Sequence, residues 1–388
     1  MTSWPMVNLM EVCEIEGGTQ PPKETFRFQP TPGYVRMLQI QDFKSDDSAV
    51  FIPAGARMKT CEEHDVLIAR YGASIGRILR GKAGAYNVAL VKTVPEKERV
   101  EGDFLYHLLN GKGFQNFILN VGSRAAQAGF NKSDLERFRF MLPPLAEQRR
   151  IAEVLDKAEA LRAKRRAALA QLDSLTQSLF LDLFGDPASN PKGLPYEPLS
   201  NLLSIKHGFA FKSEYFTDAG EFILLTPGNF YEEGGYRDRG DKQKYYIGPI
   251  PTGYTLRKDD LLVAMTEQAP GLLGSPILIP ESNKFLHNQR LGLVEVKPGA
   301  DRIFLFHLFN TPAIRNLIQA SSTGTKVKHT SPTKISAIKI PVPPISLQRE
   351  FARRVASVEK LKTAQRAALA ELDALFASLQ HRAFRGEL

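Results

Sequence analysis

The stretch LPPLAEQRRIAEVLDKAEALRAKRRAALAQLDSL at residues 142–175 returns as VPPISLQREFARRVASVEKLKTAQRAALAELDAL at residues 342–375, at an offset of 200 and without a gap. Pro143 matches Pro343, Gln148 matches Gln348, Arg149 matches Arg349, and Arg166 to Ala170 match Arg366 to Ala370. A repeat of this length decides the architecture before any local reading. The match reaches upstream at the same offset, where FLYHLLN (104–110) aligns with FLFHLFN (304–310); a further weak echo, shifted by one residue, pairs Tyr86 and Asn87 with His287 and Asn288. Between these anchors the two halves have diverged. The plan is variable block, constant segment, variable block, constant segment.

In the first constant segment Ile151, Val154, Ala158, Leu161, Arg165, Ala168, Leu172, Leu175 and Leu179 follow alternating steps of three and four, a heptad seam. The second copy reads Phe351, Arg354, Val358, Leu361, Gln365, Ala368, Leu372, Leu375 and Leu379. Both are rich in Ala, Leu, Arg and Glu, and each starts just after a Pro-Pro pair that can precede a helix and cannot sit inside one. About 40 residues rising 1.5 Å each give a helix of roughly 60 Å, comparable to roughly 17 base pairs of duplex DNA. One apolar stripe cannot stay exposed on such a helix. The simplest partner is the other copy, and because the first helix leads out to the second block and the second must lead back, the pair is antiparallel. Arg165 and Gln365 on the seam then help to set register. Two independent helices packed on their own blocks, or a homodimer through the seams, are the alternatives.

The variable blocks show short β-branched and aromatic runs at 65–69, 89–94, 221–225 and 261–265, heavily punctuated by Gly and Pro, with helical stretches at 104–119 and 303–320. They read as mixed α/β domains. The expected division is a first block at 1–142, a helix at 143–184, a second block at 185–342 and a helix at 343–388, with Gly185-Asp186-Pro187 as the exit from the first helix.

The chain has 388 residues, enough for two or three domains. No apolar run approaches the roughly 18 residues that span a bilayer. The N-terminus lacks the basic and apolar regions of a secretion signal, so a cytoplasmic location without membrane attachment is expected. Cys13 and Cys61 have no metal-ligand spacing and read as unpaired thiols, and no metal site is expected. Lys and Arg total 51 against 42 for Asp and Glu, which favours a polyanionic partner. The local distribution says more. Residues 66–95, 104–133 and 302–349 carry basic residues and no carboxylate. Acid-free basic loops with interspersed small polar groups suit a phosphate backbone, while Arg or Lys can read guanine and Gln or Asn adenine. The candidate DNA contacts are Arg70, Tyr71, Ser74, Arg77, Asn87, Arg124, Gln127 and Lys132 in the first block, and Lys206, Asn288, Gln289, Arg290, Lys326, Lys328 and His329 in the second.

Catalytic signatures are missing. Residues 76–82, GRILRGK, imitate a phosphate-binding loop, but Ala83 stands where Ser or Thr would hold magnesium, so this is read as a turn between strands. No HExxH, GxSxG or strand-associated GxGxxG is present. His107 and His307 fit packing or capping, and Asp173 and Asp373 fit exposed charges or partner contacts.

Taken together, LPPLAEQRRIAEVLDKAEAL, its second copy PVPPISLQREFARRVASVEKL, ARYGASIGRI at 69–78, GSRAAQAGFNKSDLERF at 122–138 and LFGDP at 183–187 make the chain resemble the specificity subunit of a Type I restriction-modification system, over essentially its whole length. Two departures stand out: Leu347 replaces the acid of Glu147, and AMTEQAPGLLG stands in the second block where the first has ARYGASIG. The resemblance implies two α/β target-recognition domains in tandem, separated by a long antiparallel two-helix coiled coil with a pseudo-twofold internal repeat. It further implies a non-catalytic chain whose two domains each read half of a bipartite double-stranded DNA site, with the helix pair setting the unread gap. The implied partners are two modification subunits that use S-adenosylmethionine and two restriction subunits that use ATP and Mg, with no cofactor on this chain. A transcription regulator with two DNA-binding modules would share the electrostatics, but no helix-turn-helix signature supports it.

Overall fold

The computed structural model describes residues 4–55, 58–122, 129–268 and 271–388. Its contacts divide the chain into two units, residues 1–167 with 366–388, and residues 168–365. The two constant segments form helices of 40 residues (Leu145–Phe184) and 39 residues (Ile345–Ala383), so each long helix contributes one half to each unit. Gly185 ends the first at φ +76°, a left-handed closure that glycine tolerates.

Unit 1 holds an antiparallel sheet in the order Cys13–Gly17, Leu90–Pro95, Val66–Ala69, Ile78–Leu79. Beside it lies a sheet in the order Val50–Pro53, Tyr34–Leu38, Gly84–Tyr86, Thr60–Cys61, whose middle pair is parallel. A ribbon of Met6–Asn8 and Arg139–Met141 closes the block onto the long helix. Unit 2 repeats the first sheet as Leu203–His207, Leu291–Val296, Leu261–Ala264, Pro276–Leu278, and builds its second in the order Phe216–Thr217, Tyr245–Tyr246, Phe222–Leu224, Phe285–Leu286, where the parallel pair lies at one edge. Its ribbon pairs Tyr196–Pro198 with Lys339–Pro341. The helical stretches are each broken in two, Gly102–Asn110 and Lys112–Gly122 at Gly111, and Arg302–Phe309 and Pro312–Ala320 at Thr311-Pro312.

Within each unit the two long helices run antiparallel. In unit 1 Arg162 bonds Asp373 across the pair at 2.5 Å, and in unit 2 Lys362 meets Asp173 at 3.0 Å. These bridges are the same one, related by the 200-residue repeat, and the intrahelical partners Glu159 and Glu359 repeat with them. Asp173 and Asp373 therefore tie the helices to each other. The helices also pack on their blocks. Ile151, Leu155 and Ala383 share a core with Phe104, Phe114 and Ile118 in unit 1, and Phe180, Phe184, Phe351 and Val355 join Phe304 and Ile314 in unit 2. Each large apolar side chain so buried stabilises by roughly 1.5–3 kcal/mol.

The seam itself is displaced from the expected one. Ile151, Ala158, Phe351 and Val358 are buried as expected, Leu172, Leu372, Leu179 and Leu379 are half-buried, and Val154 yields to the fully buried Leu155. Leu161 (51% exposed), Leu361 (53%), Leu175 (41%) and Leu375 (51%) point to solvent, and Arg162, Lys362, Thr176 and Phe376 take the inner places. Arg165 is exposed and Gln365 half-buried. The step order is four then three because Leu155 and Val355 are drawn into the block cores. That rotation brings the stems of Arg162 and Lys362 inward, with Arg162 lying 4.4 Å from the Phe376 ring centroid and their charges met by Asp373 and Asp173.

The repeated glutamine has a structural role. Gln148 is fully buried; its Oε1 accepts from Glu101 N (2.8 Å) and its Nε2 donates to Arg99 O (2.8 Å) and Pro143 O (2.8 Å). Gln348 repeats this with Asp301 N (2.9 Å), Gly299 O (3.4 Å) and Pro343 O (2.8 Å). Each latches the start of a long helix to the start of a block helix, satisfying backbone groups that helix ends leave unpaired.

Candidate nucleic-acid interface

The segments that follow Gly17, Ala69 and Tyr86 converge at one end of the sheets in unit 1. Glycine makes the convergence possible: a Cβ on Gly18 would lie 2.1 Å from Asn87 O, so the strand end and the loop after Tyr86 meet only because Gly18 has none. Gly18 N then donates to Leu90 O (3.2 Å), Thr19 N to Tyr86 O (3.1 Å) and Leu90 N to Asn87 O (3.0 Å). The Asn87 Oδ1 accepts from Ala89 N at 3.1 Å, which stiffens the loop. Arg70 N donates to Ala89 O (2.8 Å), and the turn Gly72–Ser74 returns through Gly76, whose φ of +77° and approach to Ile118 again exclude a side chain.

Unit 2 builds the same frame from different residues. A Cβ on Gly208 would lie 1.9 Å from Asn288 O; Gly208 N donates to Leu291 O (3.2 Å), Phe209 N to His287 O (2.9 Å) and Leu291 N to Asn288 O (3.0 Å). Met265 N reaches Arg290 O (3.0 Å), and Gly274 stands against Ile318 as Gly76 does against Ile118. Residues 86–90 thus correspond to 287–291. Val88 and Ala89 on the tip become Gln289 and Arg290, both exposed.

The candidate contacts fall into three groups. Arg77, Ser74 and Asn87 line an open recess of about 330 Å³ together with Gln39, Ile40, Gln41, Lys44 and Ala89. Lys132, Gln289, Arg290, Lys326 and His329 are exposed, and Tyr71 is exposed beside its backbone bridge to Gly129. The remaining groups are engaged inside the fold. Arg70 Nε donates to Phe130 O (2.9 Å) with its guanidinium 5.0 Å from the Tyr71 ring centroid. Lys206 Nζ donates to Gly253 O (2.7 Å) against the Tyr254 ring. Lys328 Nζ donates to Gln319 (2.9 Å), which bonds Glu267, whose Oε2 accepts from the backbone of Gly271, Leu272 and Leu273. Asn288 is buried. Arg124 and Gln127 lie outside the described residues.

Gln39, Gln41 and Lys44 escaped the sequence reading. They sit in LQIQDFK, a stretch with no basic run, and only the parallel pairing of Tyr34–Leu38 with Gly84–Tyr86 brings them beside Asn87.

His107, His287 and His307 serve the frame. His107 is buried and its Nε2 lies 2.7 Å from Asp156 Oδ1 on the long helix; burial lowers its pKa and the Asp156 bond opposes this. Arg80 meets Asp156 (3.4 Å) and Asp103 (2.7 Å) and lies over the Tyr106 ring. His307 stands edge-on to Phe351, and His287 Nε2 lies 3.0 Å from Leu291 O; burial pushes each down to about 4. Burial likewise pushes the free thiols of Cys13 and Cys61 up, to about 12 and about 11. Among the described residues no group of three or more His, Cys, Asp or Glu could hold a metal ion, and no helix is long and apolar enough to cross a membrane.

Comparison with known proteins places this arrangement. The Type I restriction enzyme MjaVIII specificity subunit of Methanocaldococcus jannaschii is 21% identical over 343 residues, covering 85% of this chain and 80% of that protein. The EcoKI specificity subunit of Escherichia coli (strain K12) is 22% identical, covering 90% and 76%. The fold matches a chain from a structure described as the basis of complex assembly and conformational transition of the type I R-M system, with TM-score 0.61, 20% identity and coverage of 100% and 99%. It also matches the crystal structure of the Type-I restriction-modification system S subunit from M. genitalium, with TM-score 0.59, 14% identity and coverage of 98% and 96%. The family profile described as the Type I restriction modification DNA specificity domain matches twice, at residues 1–171 and 195–372, and the chain belongs to that family.

Proposed function

We propose that each unit reads one half of a bipartite double-stranded DNA site, that the paired long helices set the unread gap, and that the chain acts without catalysis or a cofactor of its own. The observation that carries this reading is the shared loop frame with unlike side chains: Gly18, Asn87 and Gly76 against Gly208, Asn288 and Gly274, dressed with Val88 and Ala89 in one unit and Gln289 and Arg290 in the other. Two readers on one backbone plan recognise two different half-sites, and a fixed spacer sets their separation, as in dimeric readers.

Methylation falls to two modification subunits that use S-adenosylmethionine, and cleavage to two restriction subunits that use ATP and Mg. The exposed leucines support a docking role for the helices. Leu161 and Leu375 in unit 1 and Leu175 and Leu361 in unit 2 are apolar, solvent-facing and repeat-related, which a helix pair acting only as a spacer would not require. Co-expression with the methyltransferase subunit followed by single-molecule methylome sequencing tests the whole reading. A stoichiometric complex that modifies a bipartite site is expected, and shortening both helices within 167–170 and 367–370 should change the gap and leave the half-sites alone. A chain that binds its site alone and never co-purifies with the methyltransferase would be a regulator instead.

A further inference from the structure

Resting on that reading, we infer that the unit 1 recess reads an adenine through the Gln41 carboxamide, and that unit 2 presents the Arg239 guanidinium at the corresponding place to read a guanine.

The correspondence comes from the frame. The turn Ile40–Phe43 follows the strand Tyr34–Leu38 and is tied by fully buried Asp42, whose Oδ2 accepts from Gln39 N at 2.5 Å. The turn Pro227–Asn229 follows Phe222–Leu224 and is tied by fully buried Asn229, whose Oδ1 accepts from Thr226 N at 3.0 Å. Aligning the ties sets Leu38-Gln-Ile-Gln-Asp-Phe43 on Leu225-Thr-Pro-Gly-Asn-Phe230, so Gln41 corresponds to Gly228. The strands before the two turns make the same parallel pairing, Tyr34–Leu38 with Gly84–Tyr86 and Phe222–Leu224 with Phe285–Leu286.

What fills the place differs. In unit 1 Gln41 is exposed at the recess, and among the described residues its carboxamide makes no hydrogen bond within the fold, so its oxygen and its NH₂ are both available. That pair matches adenine N6 and N7 in the major groove. Asn87 lines the same recess, and Lys44 and Arg77 supply positive walls suited to the flanking phosphates. In unit 2 the missing side chain of Gly228 leaves room for Arg239, whose Cζ and Nη1 lie 3.3 Å from where a Cβ would stand. A guanidinium there matches guanine O6 and N7. The walls change too: Lys44 becomes Tyr231, and Arg77 becomes fully buried Ser275, whose Oγ donates to Tyr231 O at 2.6 Å.

The test is methylome mapping of the full chain co-expressed with its methyltransferase subunit, with thermal melts to confirm folding of each variant. Gln41→Ala should relax one adenine of one half-site and slow methylation of the original site roughly 5- to 150-fold, the discrimination of one paired contact. Gln41→Arg should exchange that adenine for guanine, and Arg239→Ala should relax one guanine in the other half-site. An unchanged motif at wild-type rate in Gln41→Ala, or a relaxed position that is not adenine, overturns the inference while leaving the bipartite reading in place. A wild-type complex whose motif is not bipartite overturns the reading beneath it.

Discussion

Unit 1 and unit 2 place glycine, asparagine and a capping turn at matching points, yet Tyr86 in one core is His287 in the other, and Gln41 on one surface is Gly228 on the other. Backbone convergence is held by a few residues that tolerate no exchange. The proposed reading chemistry sits on positions that the frame leaves free. On the proposed reading, this separation lets two domains of one family, built on a shared loop frame, recognise two unlike half-sites.

The largest effect is expected where the frame itself is touched. Gly18→Ala and Gly208→Ala each drive a Cβ to about 2 Å from a carbonyl oxygen, and each should cost about 4 kcal/mol or more, confined to its own unit. Hydrogen exchange on the purified chain reads this unit by unit. Loss of protection in both units from one substitution would deny their independence.

Acid should separate the units next. His287 and His307 have folded pKa values pushed below the unfolded value of about 6.5, so the fold favours their neutral forms. Their contribution is complete above about pH 6.5 and is lost as pH falls towards 4, at about 2 kcal/mol per histidine by pH 5. Unit 1 has Tyr86 in place of His287, and Asp156 opposes the lowering at His107, so hydrogen exchange at pH 5 should open unit 2 first.

The glutamine latches come third. Gln148→Ala orphans one N–H and two carbonyls near the helix start and should cost about 3 kcal/mol; Gln348→Ala should cost less, because its bond to Gly299 O is long at 3.4 Å. Chemical denaturation of the two variants compares them directly. The smallest stability effect belongs to Leu161→Gln with Leu361→Gln, expected within about 0.5 kcal/mol because both side chains face solvent, while co-purification of the methyltransferase subunit is lost. Intact co-purification would move the docking surface elsewhere.

Much of this was legible in the sequence, and its limits have physical causes. The 200-residue repeat, the long helices and their antiparallel pairing follow from patterns that survive without gaps. The equivalence of the blocks does not: Cys13–Gly17 matches Leu203–His207 and Leu90–Pro95 matches Leu291–Val296 at different offsets, so insertions hide the repeat that pairing reveals. The seam phase escaped because Val154 and Leu155 are both apolar and only the block core chooses between them; choosing Leu155 turns Leu161 outward and Arg162 inward. Basic residues in acid-free loops were visible as a class, but a sequence does not show that Arg70, Lys206 and Lys328 bond backbone or side-chain oxygens, or that Gln41 lies beside Asn87.

The most direct test of one frame with two readers replaces residues 5–142 by a second copy of residues 195–342. The junctions are equivalent, since Leu142 N donates to Pro5 O at 2.9 Å as Val342 N donates to Pro195 O at 2.8 Å. Methylome mapping of the resulting complex should show an inverted repeat of one half-site at the original gap. A site that keeps two unlike halves, or an altered gap, would contradict the account.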